Sequence, residues 1–341
     1  MTLAAAQFLT PDELASLRRR SDFRGLWCVS HAWLVIFGAM AALAWFPNPM
    51  VWAVGIVLVG ARQLGLAILM HDAAHGVLTR DRKLNEFLGQ YVCAWPMISD
   101  LHFYRAYHLQ HHRHTQQKED PDLSLSAPFP ITRDSFRRKL IRDLTGQTTF
   151  KQRVGQFQSA FTVKGGTALD GFKNGLERLG GPIAVNLALF AVLAALGYWW
   201  LFFALWVAPF FIWFPMITRI RNIAEHAVVP DNNDDFRNAR TTKANLLWRA
   251  CVAPYWVNYH VEHHLLMFIP CYNLPAFHKL LLRKGFGPRM EIQPDYITVL
   301  KLATSRIPGA KPAIRDLTAQ SDTGAKIGAA FNTSLRSRNP D

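Results

Sequence analysis

The sequence of 341 residues predicts an all-α integral membrane protein with four transmembrane helices, in two hairpins, and a cytoplasmic helical cap. Two uncharged runs carry this prediction, because no Asp, Glu, Lys or Arg occurs in residues 25–61 or 179–218. A single span needs ~20 apolar residues, so each run is long enough for about two spans. The net charge of +14 lies outside the runs and suits anionic lipid headgroups. Nucleic acid, the other usual partner of a basic chain, does not require such runs and is not expected here.

The first hairpin is predicted from residues 26–46 and 50–70, after a cytoplasmic N-terminal segment of residues 1–25. Pro47 and Pro49 separate the two spans, because proline cannot continue the helical hydrogen-bond ladder. Positive charge flanks both open ends of this hairpin and is absent from its tip, which predicts that both ends face the cytoplasm. The first span is too long for the apolar part of a signal peptide, so we expect it to be retained.

The second hairpin is predicted from residues 180–197 and 199–218. One helix over residues 182–217 would measure ~54 Å and exceed the ~30 Å hydrocarbon core, so the run must fold back. Gly197 and the aromatic residues after it favour a turn at the membrane interface.

The remaining segments predict shorter elements around the spans. Residues 85–99 and 246–257 are apolar but too short to cross a membrane, and we expect them at its interface. Residues 133–144 alternate apolar and basic side chains at helical spacing, which indicates an amphipathic surface helix. Asn273 is a candidate N-cap for a helix that ends before Gly285. Residues 303–341 are expected to form a polar, mobile tail.

Most of the 13 histidines fall into three short boxes with helical spacing. Residues three or four positions apart share one face of a helix, so their imidazoles can converge on a metal ion. All three boxes lie on the cytoplasmic side of the predicted spans and can therefore meet. The boxes are HDAAH, with His71 and His75; HLQHH, with His108, His111 and His112; and HVEHH, with His260, His263 and His264.

Asn222 and His226 follow the fourth predicted span and lie one helical turn apart, which gives a ninth candidate histidine. A catalytic zinc takes three protein ligands and a structural zinc four, so nine imidazoles are too many for one ion. Two ions with four or five ligands each is the economical interpretation. Imidazole suits Zn, Cu, Fe and Ni, so the spacing does not name the metal.

Acidic residues lie between these candidate ligands. Metal-bound imidazoles usually donate their second N–H group to a carboxylate or a carbonyl, which predicts that role for Asp72, Glu225 and Glu262. Asp120 and Asp122 are equally consistent with this role and with capping a turn. The intramembrane residue Arg62 and His31, His102, His114 and His278 are expected to make structural contacts.

The three boxes, together with the run Asp120-Pro121-Asp122, resemble those of the membrane fatty acid desaturase superfamily. The resemblance covers about residues 26–282 and implies a membrane desaturase domain over residues 26–302. It implies a non-haem centre of two Fe ions, with O₂ as co-substrate for attack on an unactivated C–H bond of a lipid chain. It also implies that the eight box histidines bind iron, that His226 is a ninth ligand, and that Asn222 holds a metal through water.

The leading functional prediction is a lipid or fatty-acyl desaturase. The alternative is a hydroxylase or ketolase on the same scaffold, acting on an alkane, a lipid or a carotenoid. The first box is HxxxH, whereas acyl-CoA Δ9 members have HxxxxH, which disfavours acyl-CoA Δ9 specificity. The sequence lacks the HPGG element of a fused cytochrome b5. A separate electron donor, of ferredoxin, rubredoxin or cytochrome b5 type, is therefore expected.

The sequence disfavours two further classes, a metal transporter and an intramembrane zinc hydrolase. A metal transporter would place its ligands near the middle of the bilayer, whereas these boxes lie outside the apolar runs. An intramembrane zinc hydrolase needs one ion and few ligands, which does not account for nine histidines.

Overall fold

The structure is a computed structural model that describes residues 5–307, and it is mostly helical. The part of the predicted tail beyond residue 307 lies outside the described residues. The α-helices in chain order are α1 (Pro11–Leu17), α2 (Asp22–Trp45), α3 (Pro49–Ala74), α4 (Arg82–Phe87), α5 (Leu101–Arg113), α6 (Leu123–Ser126), α7 (Arg133–Leu144), α8 (Gln147–Ala160), α9 (Ala168–Ala195), α10 (Trp199–Leu201), α11 (Ala208–His226), α12 (Leu246–Cys251), α13 (His260–Leu265), α14 (Leu274–Arg283) and α15 (Tyr296–Ala303).

Four helices among the described residues are long and apolar enough to cross a membrane. The first is the run Pro11–Trp45, which contains α1 and α2, and the next two are α3 and α9. The fourth is the run Trp199–His226, in which a π-helical stretch, Phe202–Val207, joins α10 to α11. The predicted spans 50–70 and 199–218 fall within these helices, whereas 26–46 and 180–197 end one and two residues beyond Trp45 and Ala195.

The spanning helices are longer than the spans predicted from charge. Helix α9 begins at Ala168, well before residue 180, because the polar residues there still favour a helix and Thr167 caps its N-terminus. Helices α3 and α11 likewise continue past the apolar runs to Ala74 and His226. His71, Asn222 and His226 therefore lie on rigid extensions of spanning helices.

The turns between the spanning helices lie at the proline and glycine residues from which they were predicted. The side-chain oxygen of Asn48 accepts hydrogen bonds from the amides of Met50 and Val51, at 3.1 and 3.0 Å, and so caps α3. Pro49 is the first residue of α3, where its missing N–H group costs no hydrogen bond. Gly197, with φ of 81°, occupies the left-handed conformation after α9 that favours glycine.

Helix α3 lies at the centre of the molecule, and its most apolar window is 72% buried. Two glycines allow this close packing. A Cβ atom on Gly60 would lie 2.7 Å from Trp213 of α11, and one on Gly65 would lie 2.6 Å from Tyr255. Arg62, on the same helix, donates to the carbonyl of Ala250 at 2.8 Å, which is the structural contact expected for it.

The shorter elements match their predictions with one correction. The surface helix forms as α7, and residues 85–99 form the end of α4 followed by a π-helical and a 3₁₀ turn. The Asn273 side chain does not cap α14. It instead donates to the carbonyls of Leu17 and Arg19, at 2.9 and 3.0 Å, because α14 packs against the N-terminal segment.

The expectation of an all-α fold needs one small correction. Two-residue strands, β1 (Thr241–Thr242) and β2 (Ile292–Gln293), pair in parallel, with Thr241 opposite Ile292. Next to this ladder, the buried Arg240 makes an ion pair of 2.9 Å with Glu291. These contacts hold the segment before α15 against the segment that follows α11.

Candidate metal centre

The nine predicted histidines meet in two adjacent clusters, and within each cluster the potential ligand atoms lie within 4.8 Å of one another. The first cluster has five imidazoles, from His71, His75, His108, His112 and His263. The second has four, from His111, His226, His260 and His264. This division agrees with the prediction of two sites with four or five ligands each.

The second and third boxes each supply both clusters. Helix α5 gives His108 and His112 to the five-histidine cluster and His111 to the four-histidine cluster. Helix α13 gives His263 to the five-histidine cluster and His260 and His264 to the four-histidine cluster. Positions i and i+4 point the same way on a helix, whereas i+3 is rotated away, so one HxxHH box can reach two ions.

The distances between imidazole nitrogens are close to those expected for metal coordination. In the five-histidine cluster, Nε2 of His112 lies 2.9 Å from Nε2 of both His108 and His263. In the other cluster, Nε2 of His260 lies 2.8 Å from that of His226 and 3.1 Å from that of His264. Two nitrogens bound to one ion at ~2.1 Å are roughly 3.0–3.4 Å apart at angles between 90° and 109°.

Several second ring nitrogens are held by neighbouring groups. His111 Nδ1 donates to Asp120 at 2.8 Å, and His226 Nδ1 donates to the Asn238 carbonyl at 3.3 Å. Thr115 Oγ1 donates to the His111 carbonyl, so it can accept from His264 Nδ1, which lies 3.2 Å away. These bonds select the tautomer whose Nε2 lone pair faces the cluster.

Burial keeps most of these imidazoles neutral, which is the form that binds metals. Burial, reinforced by the neighbouring imidazoles, lowers the pKa of five histidines outside the spanning helices well below the ordinary value; these are His108, His112, His260, His263 and His264. His111 is different, because burial lowers its pKa but the hydrogen bond and charge of Asp120 outweigh that effect and raise it.

Buried ring nitrogens without hydrogen-bond partners indicate that the clustered histidines suit bound metal ions. Nε2 of His71 and both ring nitrogens of His75 are buried and have no hydrogen-bond partner. Buried polar atoms without partners are costly, and a metal ion in the five-histidine cluster would satisfy them. The nitrogen-only donor set suits a first-row transition metal and is not typical of Mg²⁺ or Ca²⁺.

The three carboxylates predicted to support the ligands occupy different positions. Asp72 lies 3.5 Å from His71 Nδ1 and accepts from the amide of Cys271 at 2.7 Å. Glu225 lies 3.5 Å from His260 Nε2 and pairs with Arg221. Glu262 contacts Thr241 and His278, which belong to neither cluster. The reason is helical geometry, because position i+2 is rotated by ~200° from His260.

Asn222 is not a member of either cluster. It lies in the wall of a chamber of about 30 Å³, beside His108 and His111, one from each cluster. Such a chamber has room for about two water-sized molecules. Tyr104 also lines the chamber, and its ring stacks on His108 with centroids 5.2 Å apart.

Several functional neighbours were not predicted. The sequence allows two roles for Asp120, and in the structure its carboxylate accepts a hydrogen bond from His111. Thr115, Asn238 and Tyr104 were missed, because a lone hydroxyl, a backbone carbonyl or an aromatic ring gives no recognisable sequence pattern. The weak signal available was that Thr115 follows His111 by one helical turn.

A larger cavity, of about 470 Å³, reaches the metal centre at His71 and Tyr104. Its wall includes Leu64 and Ile68 of α3 and Phe214 of α11. Pockets of this size commonly hold one small organic ligand. A cavity that has apolar side chains of two spanning helices in its wall and reaches His71 suits an alkyl chain.

Among the histidines expected to be structural, His31 and His278 make such contacts. His31 Nδ1 lies 3.0 Å from the Tyr255 hydroxyl, and His278 is bonded to Glu262. The His102 side chain is 61% exposed and lies 3.9 Å from Glu86.

Comparison with known proteins identifies the family of this chain. A family model described as fatty acid desaturase matches residues 47–290, which is well over half of the chain and includes all nine clustered histidines. The chain belongs to the fatty acid desaturase family. Its resemblance to that family is thus confirmed, and the chain is an oxidoreductase.

Several curated proteins resemble this fatty acid desaturase family member at low identity. Dihydrorhizobitoxine desaturase of Bradyrhizobium elkanii is 26% identical over 79% of this chain and 81% of its own length. An sn-1 oleoyl-lipid 12-desaturase of Synechocystis is 26% identical over 76% of this chain and 78% of its own length. A beta-carotene ketolase of Paracoccus is 24% identical over 79% of this chain and 95% of its own length.

Proposed function

We propose that the protein is a membrane-bound, O₂-dependent lipid or fatty-acyl desaturase with a histidine-ligated di-iron centre. The observation that carries this proposal is the contact between the 470 Å³ cavity and His71, a member of the five-histidine cluster. A chain lying in this cavity would present a methylene group beside the centre.

The nine clustered histidines would hold two iron ions, which together with O₂ supply an oxidant strong enough to remove hydrogen from an alkyl chain. The protein provides placement and water exclusion for this chemistry. Asp120, the Asn238 carbonyl and Thr115 fix three of the ligand imidazoles. The buried apolar wall formed by Leu64 and Ile68 keeps water from the methylene group.

The membrane orientation that we propose places the metal centre on the cytoplasmic face. His71 and His226 lie at the ends of the spanning helices α3 and α11. Arg80 and Arg82 follow the end of α3, and Arg219 precedes the end of α11. Basic residues beside a span mark its cytoplasmic side. A soluble or membrane-bound donor of the ferredoxin, rubredoxin or cytochrome b5 type would deliver electrons there.

A hydroxylase or ketolase remains the second candidate, because the similar proteins include the ketolase as well as the desaturases. The two reactions differ in mass. Desaturation removes two hydrogens from the substrate, whereas hydroxylation adds one oxygen.

Lipid profiling by mass spectrometry tests this proposal. The protein and a donor system would be expressed in a host grown with and without O₂, and the membrane lipids compared. We expect O₂-dependent lipids lighter by two hydrogens. His111→Ala should abolish them, while His102→Ala, at an exposed site outside the clusters, should not. Lipids that gain oxygen instead would favour the second candidate, and an unchanged lipid profile would contradict both.

A further inference from the structure

We propose that the large cavity takes an amphiphile whose alkyl chain carries an anionic head group, a phosphate or a carboxylate. Lys139, Arg142 and Lys151 would recognise that head group. The inference rests on the proposed function, because it names the class of substrate that the same site would oxidise.

The wall of the cavity differs in character from one element to another. Leu64, Ala67 and Phe214, from the spanning helices α3 and α11, give it an apolar part. A second part of the wall comes from α7 and α8, which are not spanning helices. There Lys139 and Arg142 of α7 face the same space as Lys151 of α8. This is the polarity of a chain with a charged end.

Among residues 5–307, none of Lys139, Arg142 and Lys151 makes an ion pair. The nearby acid on α7, Asp143, is fully buried and binds Arg219 through two hydrogen bonds of 2.5 and 2.8 Å. Asp122, which also lines the cavity, accepts from Tyr107.

Lys139 lies among like charges. Burial lowers its pKa, the neighbouring charges of Arg219 and Arg142 lower it further, and the charge of Asp143 offsets only part of this effect. An anion bound among these groups would offset that repulsion and favour their charged forms. A neutral hydrocarbon such as a carotenoid would give them no partner, so the mouth of the cavity favours a charged amphiphile.

The surface beside these cations suits the membrane interface. On α8, Phe150, Val154 and Phe157 are 63%, 39% and 39% exposed, and their spacing places them on one helix face. A helix with an exposed apolar face and basic flanks is typical of one that lies in the headgroup region. Lys151, next to Phe150 on this helix, would then lie at the depth of lipid head groups.

Equilibrium binding to the metal-loaded, detergent-solubilised protein tests the inference. The probes would be radiolabelled oleyl phosphate, oleate and oleyl alcohol, which share one chain and differ in the head. We expect at least one anion to bind about tenfold more tightly than the alcohol, equivalent to about 1.4 kcal/mol. The variant with Lys139→Gln, Arg142→Gln and Lys151→Gln should lose this preference.

The matched control removes the same charge from outside the cavity. Arg137, Arg138 and Lys164 are exposed and do not line it, so a variant with Gln at these positions should keep the preference. Whichever anion binds more tightly identifies the head group as phosphate or carboxylate. Equal binding of the three probes, binding of none, or a preference that survives the cavity variant would overturn the inference.

Lipid profiling separates this inference from the proposed function. Double bonds formed in cellular lipids by a protein without anion preference would leave the desaturase function standing and remove the head-group inference. An anion preference in a protein that alters no lipid would support the head-group inference and contradict the desaturase function.

Discussion

His111 donates a hydrogen bond of 2.8 Å from Nδ1 to the carboxylate of Asp120, and both side chains are almost fully buried. The same carboxylate accepts from the amides of Gln116 and Asp122, each at 2.8 Å. The loop that follows α5 is therefore folded around this carboxylate. His111 is thereby fixed with Nε2 directed at the four-histidine cluster, 3.4 Å from Nε2 of His264.

The first prediction concerns this bond. Asp120→Asn keeps the size of the side chain but removes the charge that would make His111 a better metal ligand. Loss of such a supporting group typically costs 10–100-fold in metal affinity or activity, and we expect a loss in that range. Iron content per chain, measured over a series of chelator concentrations, and product formation would give its size.

Asp134→Asn is the control for Asp120, because Asp134 is exposed on α7 and lines neither cavity. It should retain the metal affinity of the unaltered protein. If Asp120→Asn binds iron equally well, the carboxylate only stabilises the loop and does not tune His111.

The second prediction tests the division of the third box between the clusters. His263 is its only member in the five-histidine cluster. His263→Ala should therefore lower the iron content from about two per chain towards one and abolish turnover, because ligand loss lowers affinity at one site. The amount of protein in the membrane fraction should not change. A His263→Ala variant with full iron content and normal activity would remove this residue from the ligand set.

The sequence predicts the candidate ligands of the centre but not how they divide between the two clusters. Helical spacing predicts that each box presents one face, and ligand counting predicts two ions. It does not assign His111 and His112, which are neighbours, to different clusters, because that depends on how α3, α5 and α13 cross. The same limit applies to Asp120 and Thr115, whose contacts form only when the loop after α5 folds back.

The fold shows the same limit. Charge-free runs locate the apolar part of each span but not the end of its helix, because polar residues continue α3 to Ala74 and α11 to His226. The sequence correctly predicts a structural contact for Arg62. It could not identify Ala250 as its partner, since the two residues are far apart in the chain.

The third prediction concerns stability at Arg62. This side chain is 6% exposed, donates to the Ala250 carbonyl and lies with its guanidinium 5.5 Å from the Tyr255 ring centre. Arg62→Met should leave that carbonyl unsatisfied and cost ~1–3 kcal/mol of stability. Thermal unfolding in detergent should shift down by several degrees, whereas Arg80→Met, at an exposed position, should not shift it. Equal unfolding temperatures would show that the contact contributes nothing.

The fourth prediction tests the cavity as the path of the alkyl chain. Ala67 lines the cavity on α3, one helical turn before His71. Ala67→Phe should fill this part of the cavity and reduce turnover of long chains by at least roughly tenfold, with iron content unchanged. Ala53→Phe, on an exposed part of the same helix, should leave turnover as it was. Full activity in Ala67→Phe would mean that the chain reaches the centre by another route.

The fifth prediction concerns acid stability after metal removal by a chelator. Burial first, and then neighbouring imidazoles, lower the pKa of His108, His112 and His260 well below 6.5 in the folded protein. Below about pH 6.5 the unfolded chain therefore binds more protons than the folded one. Stability then falls as the pH decreases, since its slope with pH follows that difference in bound protons. His111 acts in the opposite direction, because its pKa is raised, but it is one group against several. The unfolding temperature of the metal-free protein should therefore not change with pH near 8. It should fall steadily between pH 6.5 and 5, because the unfolded chain binds more protons there. Unfolding temperatures that stay constant over that interval would mean that the metal-free imidazoles are hydrated, and that the clusters open once the ions are removed.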